Sequence, residues 1–236
     1  MISKFLMDPD GEDSMKIVLF MKKISYPIAD KLKNSPITPN QVTFLSFLTG
    51  IISGLFFYLA EPLFLIIGAV LMFISYMLDY MDGRLAKIRN VRTRLGGFLD
   101  HVSDSSKHTI IFLGVVWGIY NATGNIIIWI FGFSAATSYL LARLTHEMFR
   151  RYFGEVADEI TNKEKKARMI IKEFFYDGNQ VMVLTVIGSI FNRLDWAIML
   201  FGIYGPIFVI VQLIMLVMRI RQKDPEGFPY KKPLGK

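Results

Sequence analysis

At 236 residues, 53% of them hydrophobic, and with a mean hydropathy of +0.39, the chain is too apolar for a soluble domain and reads as an integral membrane protein. The absence of cysteine excludes disulfides and thiolate metal sites. A net charge of +7 and a pI near 9.5 would suit a nucleic-acid binder, but in a membrane protein they mark basic loops kept on the cytoplasmic side, and no nucleic acid is expected as a partner.

The N-terminal stretch MISKFLMDPDGEDSMK has no long apolar run and no small-residue cleavage site, so no cleavable signal is expected. Residues 14–33 mix Met, Ile, Leu, Phe and Tyr with Lys16, Lys22, Lys23, Lys31 and Lys33, the pattern of an amphipathic helix lying along lipid headgroups, with Pro27 placed to kink it. Six apolar stretches then follow at 41–60, 62–82, 97–119, 125–147, 179–193 and 196–218, the fifth being short for a span. Tight turns are expected at Glu61-Pro62, at Tyr120 to Gly124 and at Asn192 to Asp195. Residues 150–177 set Lys163, Lys165, Lys166 and Arg168 beside Ile170, Ile171, Phe174 and Phe175, a second candidate interfacial segment or a solvated loop. The tail after Arg221 contains Pro225, Gly227, Pro229 and Pro233 and reads as loosely ordered. The expected fold is an all-α integral membrane protein. Residues 1–34 form a cytosolic arm and an N-terminal amphipathic interfacial helix, residues 35–221 a six-helix transmembrane domain, and residues 222–236 a cytosolic tail.

Lys and Arg fix the orientation. With alternating spans and a cytosolic N-terminus, they fall in the N-terminal arm, the 84–94 loop, the 150–172 stretch and the tail, and only Arg193 lies on the far side. That asymmetry places both termini inside.

The chemistry is concentrated in LDYMDGRLAKIRNVRTRLGGFLDHVSD. An Asp at the centre of a membrane helix costs roughly 2.5–3.5 kcal/mol, and less near the interface. Asp79 and Asp82 are three residues apart on one helix face; Asp100 and Asp104 are four apart on a face of the next span. Both pairs lie at the cytoplasmic end, so all four can face one another. Gly83 and Gly96 allow close approach of a second helix or of a ligand. Four carboxylates carry about the charge of two divalent cations, and an all-oxygen shell suits Mg²⁺ or Mn²⁺. Two such ions about 3.5–4 Å apart can clamp the attacking and leaving oxygens of a phosphoryl displacement. Arg84, Lys87, Arg89, Arg92 and Arg94 surround the cluster with a field that suits a phosphate-bearing substrate or simply anchors the loop inside.

Asp79-x-x-Asp82-Gly83-x-x-Ala86, followed by Gly96-x-x-x-Asp100-x-x-x-Asp104, resembles the signature of the CDP-alcohol phosphotransferase family. Lys87 departs from it, standing where the family has Arg, which keeps the charge and loses the planar fork. The run Thr38-Pro39-Asn40-Gln41-Val42-Thr43 and the six-span layout extend the likeness to about residues 15–220. The resemblance implies a six-helix membrane enzyme, homodimeric, with a cleft open to the cytosol. It implies that Asp79, Asp82, Asp100 and Asp104 hold two divalent cations and that Asp104 is also the general base. A CDP-linked alcohol, often a CDP-lipid, would bind near Asp79, Gly83, Ala86 and Lys87, with Asn40 and Thr43 nearby. A small polar alcohol would attack the β-phosphorus, and CMP would leave.

Ser138-Tyr139-Leu140-Leu141-Ala142-Arg143 resembles a family stretch, Ser-Tyr-x-(Lys/Arg)-Ala-Arg, of members that take phosphorylated inositol acceptors. Leu141 replaces its basic residue, which argues against a phosphorylated inositol bound in that way. Ser138, Arg143 and Arg219 are the candidate acceptor-binding residues, though both arginines could equally reach the headgroups. Lys107, three residues beyond Asp104, is placed to face the cleft or to snorkel. His101, His108 and His146 carry little weight beside an all-carboxylate metal shell. The sequon Asn121-Ala122-Thr123 lies too close to the membrane to be read as functional.

The leading functional expectation is phospholipid synthesis from a CDP-lipid. A soluble donor such as CDP-inositol would instead make a phosphodiester solute. A divalent-cation transporter would need a carboxylate path to the outer face, and none is seen in the sequence. A non-catalytic scaffold would bind metal without turnover.

Overall fold

The computed structural model describes residues 16–163 and 178–223, all helix and connecting turns. Helix α1 spans Lys16–Lys31 and is followed by a 3-10 turn, Leu32–Asn34. The remaining helices are α2 (Pro39–Leu59), α3 (Pro62–Ile88), α4 (Arg94–Thr123), α5 (Ile127–Lys163), α6 (Gly178–Ile190) and α7 (Leu194–Lys223). Residues 1–15, 164–177 and 224–236 lie outside the described residues, and with them part of the candidate interfacial segment 150–177 and most of the expected tail.

The helix ends follow from local chemistry. Thr38 caps α2 through a reciprocal pair: its hydroxyl accepts from the Gln41 amide at 3.3 Å, and Gln41 Oε1 accepts from the Thr38 amide at 2.8 Å. Pro39 and Pro62 sit at first-turn positions, where a missing N–H leaves no bond unmade. Thr93 accepts from the Gly96 amide at 2.9 Å and starts α4. Gly124, at φ 67°, ends it in the left-handed region that glycine adopts without strain. The chain breaks near all three expected turns, but Tyr120–Thr123 complete α4 so that the second break falls at 124–126, and the third falls at 191–193, with Leu194 and Asp195 already in α7.

Among the described residues, four helical stretches are long and apolar enough to cross a membrane: Pro39–Leu59, Pro62–Ile88, Ile127–Thr145 and Leu194–Met218. The two other expected spans differ, each for a physical reason. Residues 97–119 lie within α4, whose first half carries Arg94, Asp100, Asp104 and Lys107 and is therefore more polar than a lipid-facing helix. Residues 179–193 fall on α6, whose 13 residues cover only about 20 Å at a rise of 1.5 Å per residue. Large apolar side chains such as Phe44, Leu63, Phe133, Trp196 and Ile207 are exposed along the outer faces, the distribution of a protein solvated by lipid.

Helix α2 packs against both α3 and α4, α5 packs against α7, and α6 closes the bundle against α3 and α7. Two glycines set the α2–α4 crossing. A Cβ added to Gly114 would lie 2.1 Å from the Gly54 carbonyl oxygen, and one on Gly118 would lie 2.3 Å from that of Phe57. Polar groups also tie the helices together. Ser53 donates to the Gly68 carbonyl at 2.7 Å, Ser134 to that of Gly202 at 2.7 Å, and Gln212 to that of Ala142 at 3.2 Å.

Helix α1 runs unbroken through Pro27 and shares the main core, with Met21 fully buried beside residues of the other helices. Arg84 of α3 pairs with Asp30 at 2.9 Å and lies over the Tyr26 ring, 5.0 Å from its centroid. Arg89 donates to the carbonyls of Lys33 at 2.8 Å, Ile37 at 2.6 Å and Ser35 at 2.8 Å, and also to that of Leu32. These two arginines, read above as part of a phosphate-attracting field, therefore hold the α1–α2 connection. Arg89→Met should lower stability by about 1.5–3 kcal/mol, the range for hydrogen bonds to a charged group, and Arg89→Lys should not restore it. Denaturant unfolding of both variants checks this.

Candidate active site

The N-terminal ends of α2 and α4 meet the C-terminal end of α3, and there the acidic residues converge. Asp79 and Asp82 come from consecutive turns of α3, and Asp100 comes from the second turn of α4. Their nearest carboxylate oxygens lie within 4.8 Å of one another. Three carboxylates this close repel strongly unless cations lie among them. Oxygen-only donors at that spacing fit a hard divalent ion. Thr43 on α2 orients one of them: its hydroxyl donates to Asp82 Oδ2 at 2.5 Å.

Asp104 stands one turn beyond Asp100 and outside that group of three. Its Oδ1 lies 2.6 Å from Lys107 Nζ, and its Oδ2 lies 3.6 Å from Arg143 Nη1. Lys107 also donates to Asp79 Oδ1 at 2.7 Å and to Ser46 Oγ at 3.0 Å. Its side chain is 1% exposed. Beneath Asp104, His108 Nδ1 lies 2.6 Å from the Asp104 carbonyl, so this nitrogen donates. His108 Nε2 then accepts from the Tyr76 hydroxyl. The His108 ring packs 4.9 Å from that of Tyr139, whose hydroxyl accepts from Arg143 at 3.2 Å. The turn of α4 that carries Asp104 is thus braced from three helices.

The structure brings together Asp79, Asp82, Asp100, Asp104, Thr43 and Arg143. Gly83 is exposed, and a Cβ there would meet nothing within 4 Å, so no helix packs against it and its backbone is open to a ligand. A Cβ on Gly96 would come 3.1 Å from Thr93 Oγ1 and 3.5 Å from Asn40 Oδ1, which sets Asn40 at the mouth of the site. Ala86 is half-buried and Lys87 exposed on the last turns of α3. Ser138 is buried on α5. The Arg219 and His146 side chains lie outside the described residues.

The sequence left Lys107 between two readings and missed its partners Ser46 and Gly50, as well as the Tyr76–His108–Tyr139 brace. The spacing of Gly50, Ser53 and Gly54 on α2 is the signal that could have found a close α2–α4 crossing. Nothing in it names Lys107 as the side chain that fills the crossing.

A family model described as CDP-alcohol phosphatidyltransferase matches residues 36–221. The bifunctional IPC transferase and DIPP synthase of Archaeoglobus fulgidus is 33% identical over 147 residues, 62% of this chain and 27% of that protein. The archaetidylinositol phosphate synthase of Pyrococcus horikoshii is 32% identical over 91 residues, 39% of this chain and 47% of that protein. The phosphatidylinositol phosphate synthase of Mycobacteroides abscessus is 30% identical over 95 residues, covering 40% and 42%. The chain thus spans about a quarter to a half of the length of these curated relatives. Among solved structures, Mycobacterium tuberculosis phosphatidylinositol phosphate synthase with CDP-DAG bound superposes at a TM-score of 0.61, with 19% identity, over 82% of this chain and 94% of that one. The same enzyme in complex with manganese and citrate gives 0.58, with 19% identity, over 82% and 88%. These two likenesses are of fold. With the family match running from residue 36 to residue 221, the chain belongs to the CDP-alcohol phosphatidyltransferase family.

Proposed function

We propose that the protein transfers a substituted phosphoryl group from a CDP-linked lipid to the hydroxyl of a small polar alcohol, releasing CMP, in phospholipid synthesis. The observation that supports this most is the convergence of Asp79, Asp82 and Asp100 within 4.8 Å, beside a fourth carboxylate held by Lys107. The donor complex takes two divalent cations, Mg²⁺ or Mn²⁺, held by Asp79, Asp82 and Asp100. Bound there, the ions would supply charge neutralisation to the donor diphosphate and to departing CMP.

The other parts of the reaction fall to this chain's residues. Thr43 fixes the Asp82 carboxylate, leaving its second oxygen for the cluster. The open backbone at Gly83, with Ala86, Lys87 and Asn40, bounds the nucleotide end. Asp104 takes the proton of the acceptor hydroxyl as that oxygen bonds the β-phosphorus. The bond from the β-phosphorus to the bridging oxygen breaks, and its electron pair leaves with CMP. Ser138, Arg143 and Arg219 bound the acceptor side. The protein crosses the bilayer six times, with α4 and the short α6 as the more polar and the shorter spans. Both termini and the site face the cytosol, α1 borders the headgroups, and the chain acts as a homodimer.

The test is CMP release by purified protein from CDP-diacylglycerol, CDP-archaeol and CDP-inositol across a panel of alcohols. Release should require both an alcohol and a divalent ion, stop with EDTA and return with Mg²⁺ or Mn²⁺. Turnover of CDP-inositol alone would move the protein to soluble phosphodiester synthesis. Asp82→Asn should weaken Mn²⁺ binding at least about tenfold and turnover by more, since it removes a ligand that no neighbour replaces. Equilibrium dialysis with Mn²⁺ measures the first effect.

A further inference from the structure

We propose that the Lys107 ammonium is a resident cation of the acidic cluster, seated between Asp79 and Asp104, so that the donor-free protein takes up one divalent ion and the second enters only with the donor's diphosphate. This rests on the reading of the cluster as the cation site for a CDP-linked donor.

The lysine is built into the fold. The ammonium donates to Asp79 at 2.7 Å and to Ser46 at 3.0 Å, and it stands in ion-pair contact with Asp104 Oδ1 at 2.6 Å. Ser46 is itself fixed, donating to the Ser75 carbonyl at 2.9 Å, while Ser75 donates back to the Ser46 carbonyl at 2.7 Å. The Lys107 stem lies in a notch that α2 provides by having glycine at position 50, where an added Cβ would stand 3.0 Å from Lys107 Cβ. The Tyr76 ring covers the ammonium at 5.6 Å from its centroid. The enclosed side chain is 1% exposed.

Charge then sets the number of ions. Asp79, Asp82, Asp100 and Asp104 carry four negative charges. Lys107 and Arg143, both paired with Asp104, supply two positive charges, and a single divalent ion supplies the rest. A second ion in the donor-free site would leave two uncompensated positive charges in a part-buried pocket at a membrane face, which is unfavourable. A diphosphate diester brings about two negative charges, and with it the second ion is balanced. Asp104, paired with Lys107 and Arg143, stands outside the group of three.

Mn²⁺ binding to the purified wild-type protein, counted by equilibrium dialysis and by electron paramagnetic resonance, tests this with CDP absent and present. One ion per chain without CDP and two with it is the expected result. Two ions without CDP would overturn the inference while leaving the transferase reading intact. No ion in either state would overturn the cation-site reading itself. Lys107→Met, which removes one of the two fixed positive charges, should take up a second ion without CDP at lower Mn²⁺ concentration than wild type; a folded Lys107→Met whose uptake of a second ion matches wild type removes Lys107 from the account. If that variant does not fold, Lys107→Gln, which keeps a polar contact to Ser46 without the charge, replaces it under the same criteria. The wild-type counts decide the stoichiometry regardless of either variant.

Discussion

Asp104→Asn should lower CMP release by about 10²–10⁴-fold while leaving donor affinity within a few-fold, the range expected when a positioned general base is lost. The asparagine keeps the size of the side chain and can still accept from Lys107, so the brace beneath it survives. What it cannot do is take the proton of an attacking hydroxyl. The loss should therefore appear in kcat and not in KM for the donor, whereas a change at Asp82 should alter metal uptake first. Asp104 is suited to this role by its neighbours. Lys107 and Arg143 aim its carboxylate, and His108, Tyr76 and Tyr139 fix the helix turn that carries it. Substantial turnover by folded Asp104→Asn would remove it as the base.

Gly114→Val should prevent stable folding, or lower stability by at least the roughly 1–3 kcal/mol of overpacking. The reason is that the obstruction is backbone. A Cβ at 114 would stand 2.1 Å from the Gly54 carbonyl oxygen and 2.9 Å from its carbon, and no rotamer change relieves that. Helices α2 and α4 would have to separate, and the Ser46–Lys107 contact, two turns nearer the carboxylates, would open with them. Gly97→Ala is the matched control on the same helix. A Cβ there meets nothing within 4 Å, and replacing glycine by alanine in a helix should stabilise by about 0.5–1 kcal/mol. Thermal unfolding of the three proteins in one detergent separates these effects. Equal melting temperatures for Gly114→Val and wild type would contradict the crossing described here.

Much of this arrangement was legible in the residues, and the limits have physical causes. Helix ends were readable because Thr38, Pro39, Pro62 and Gly124 act locally, within one turn of chain. From the sequence all four carboxylates can face one another; Asp79, Asp82 and Asp100 do gather, since two share a helix face and the chain reverses once to bring the third beside them, while Asp104 is drawn aside by Lys107 and Arg143. Span boundaries were less so. Hydropathy follows lipid exposure, and α4 carries Arg94, Asp100, Asp104 and Lys107 in its first half, so its first turns are more polar than a lipid-facing helix. The roles of Arg84 and Arg89 were hidden because their partners, Asp30 and the carbonyls of residues 32–37, lie more than 50 positions away. Lys107 was left between two readings: charge and spacing allow it to face the cleft, but only the notch at Gly50 determines that it does.

The central claim is that side chains from α3 and α4 hold divalent ions that grip a nucleotide diphosphate. Crystals grown with Mn²⁺ and CDP, measured at the manganese absorption edge, test it most directly. The account predicts anomalous density among Asp79, Asp82 and Asp100 and touching the diphosphate oxygens. Density for CDP elsewhere, with no manganese among these three carboxylates, would contradict it.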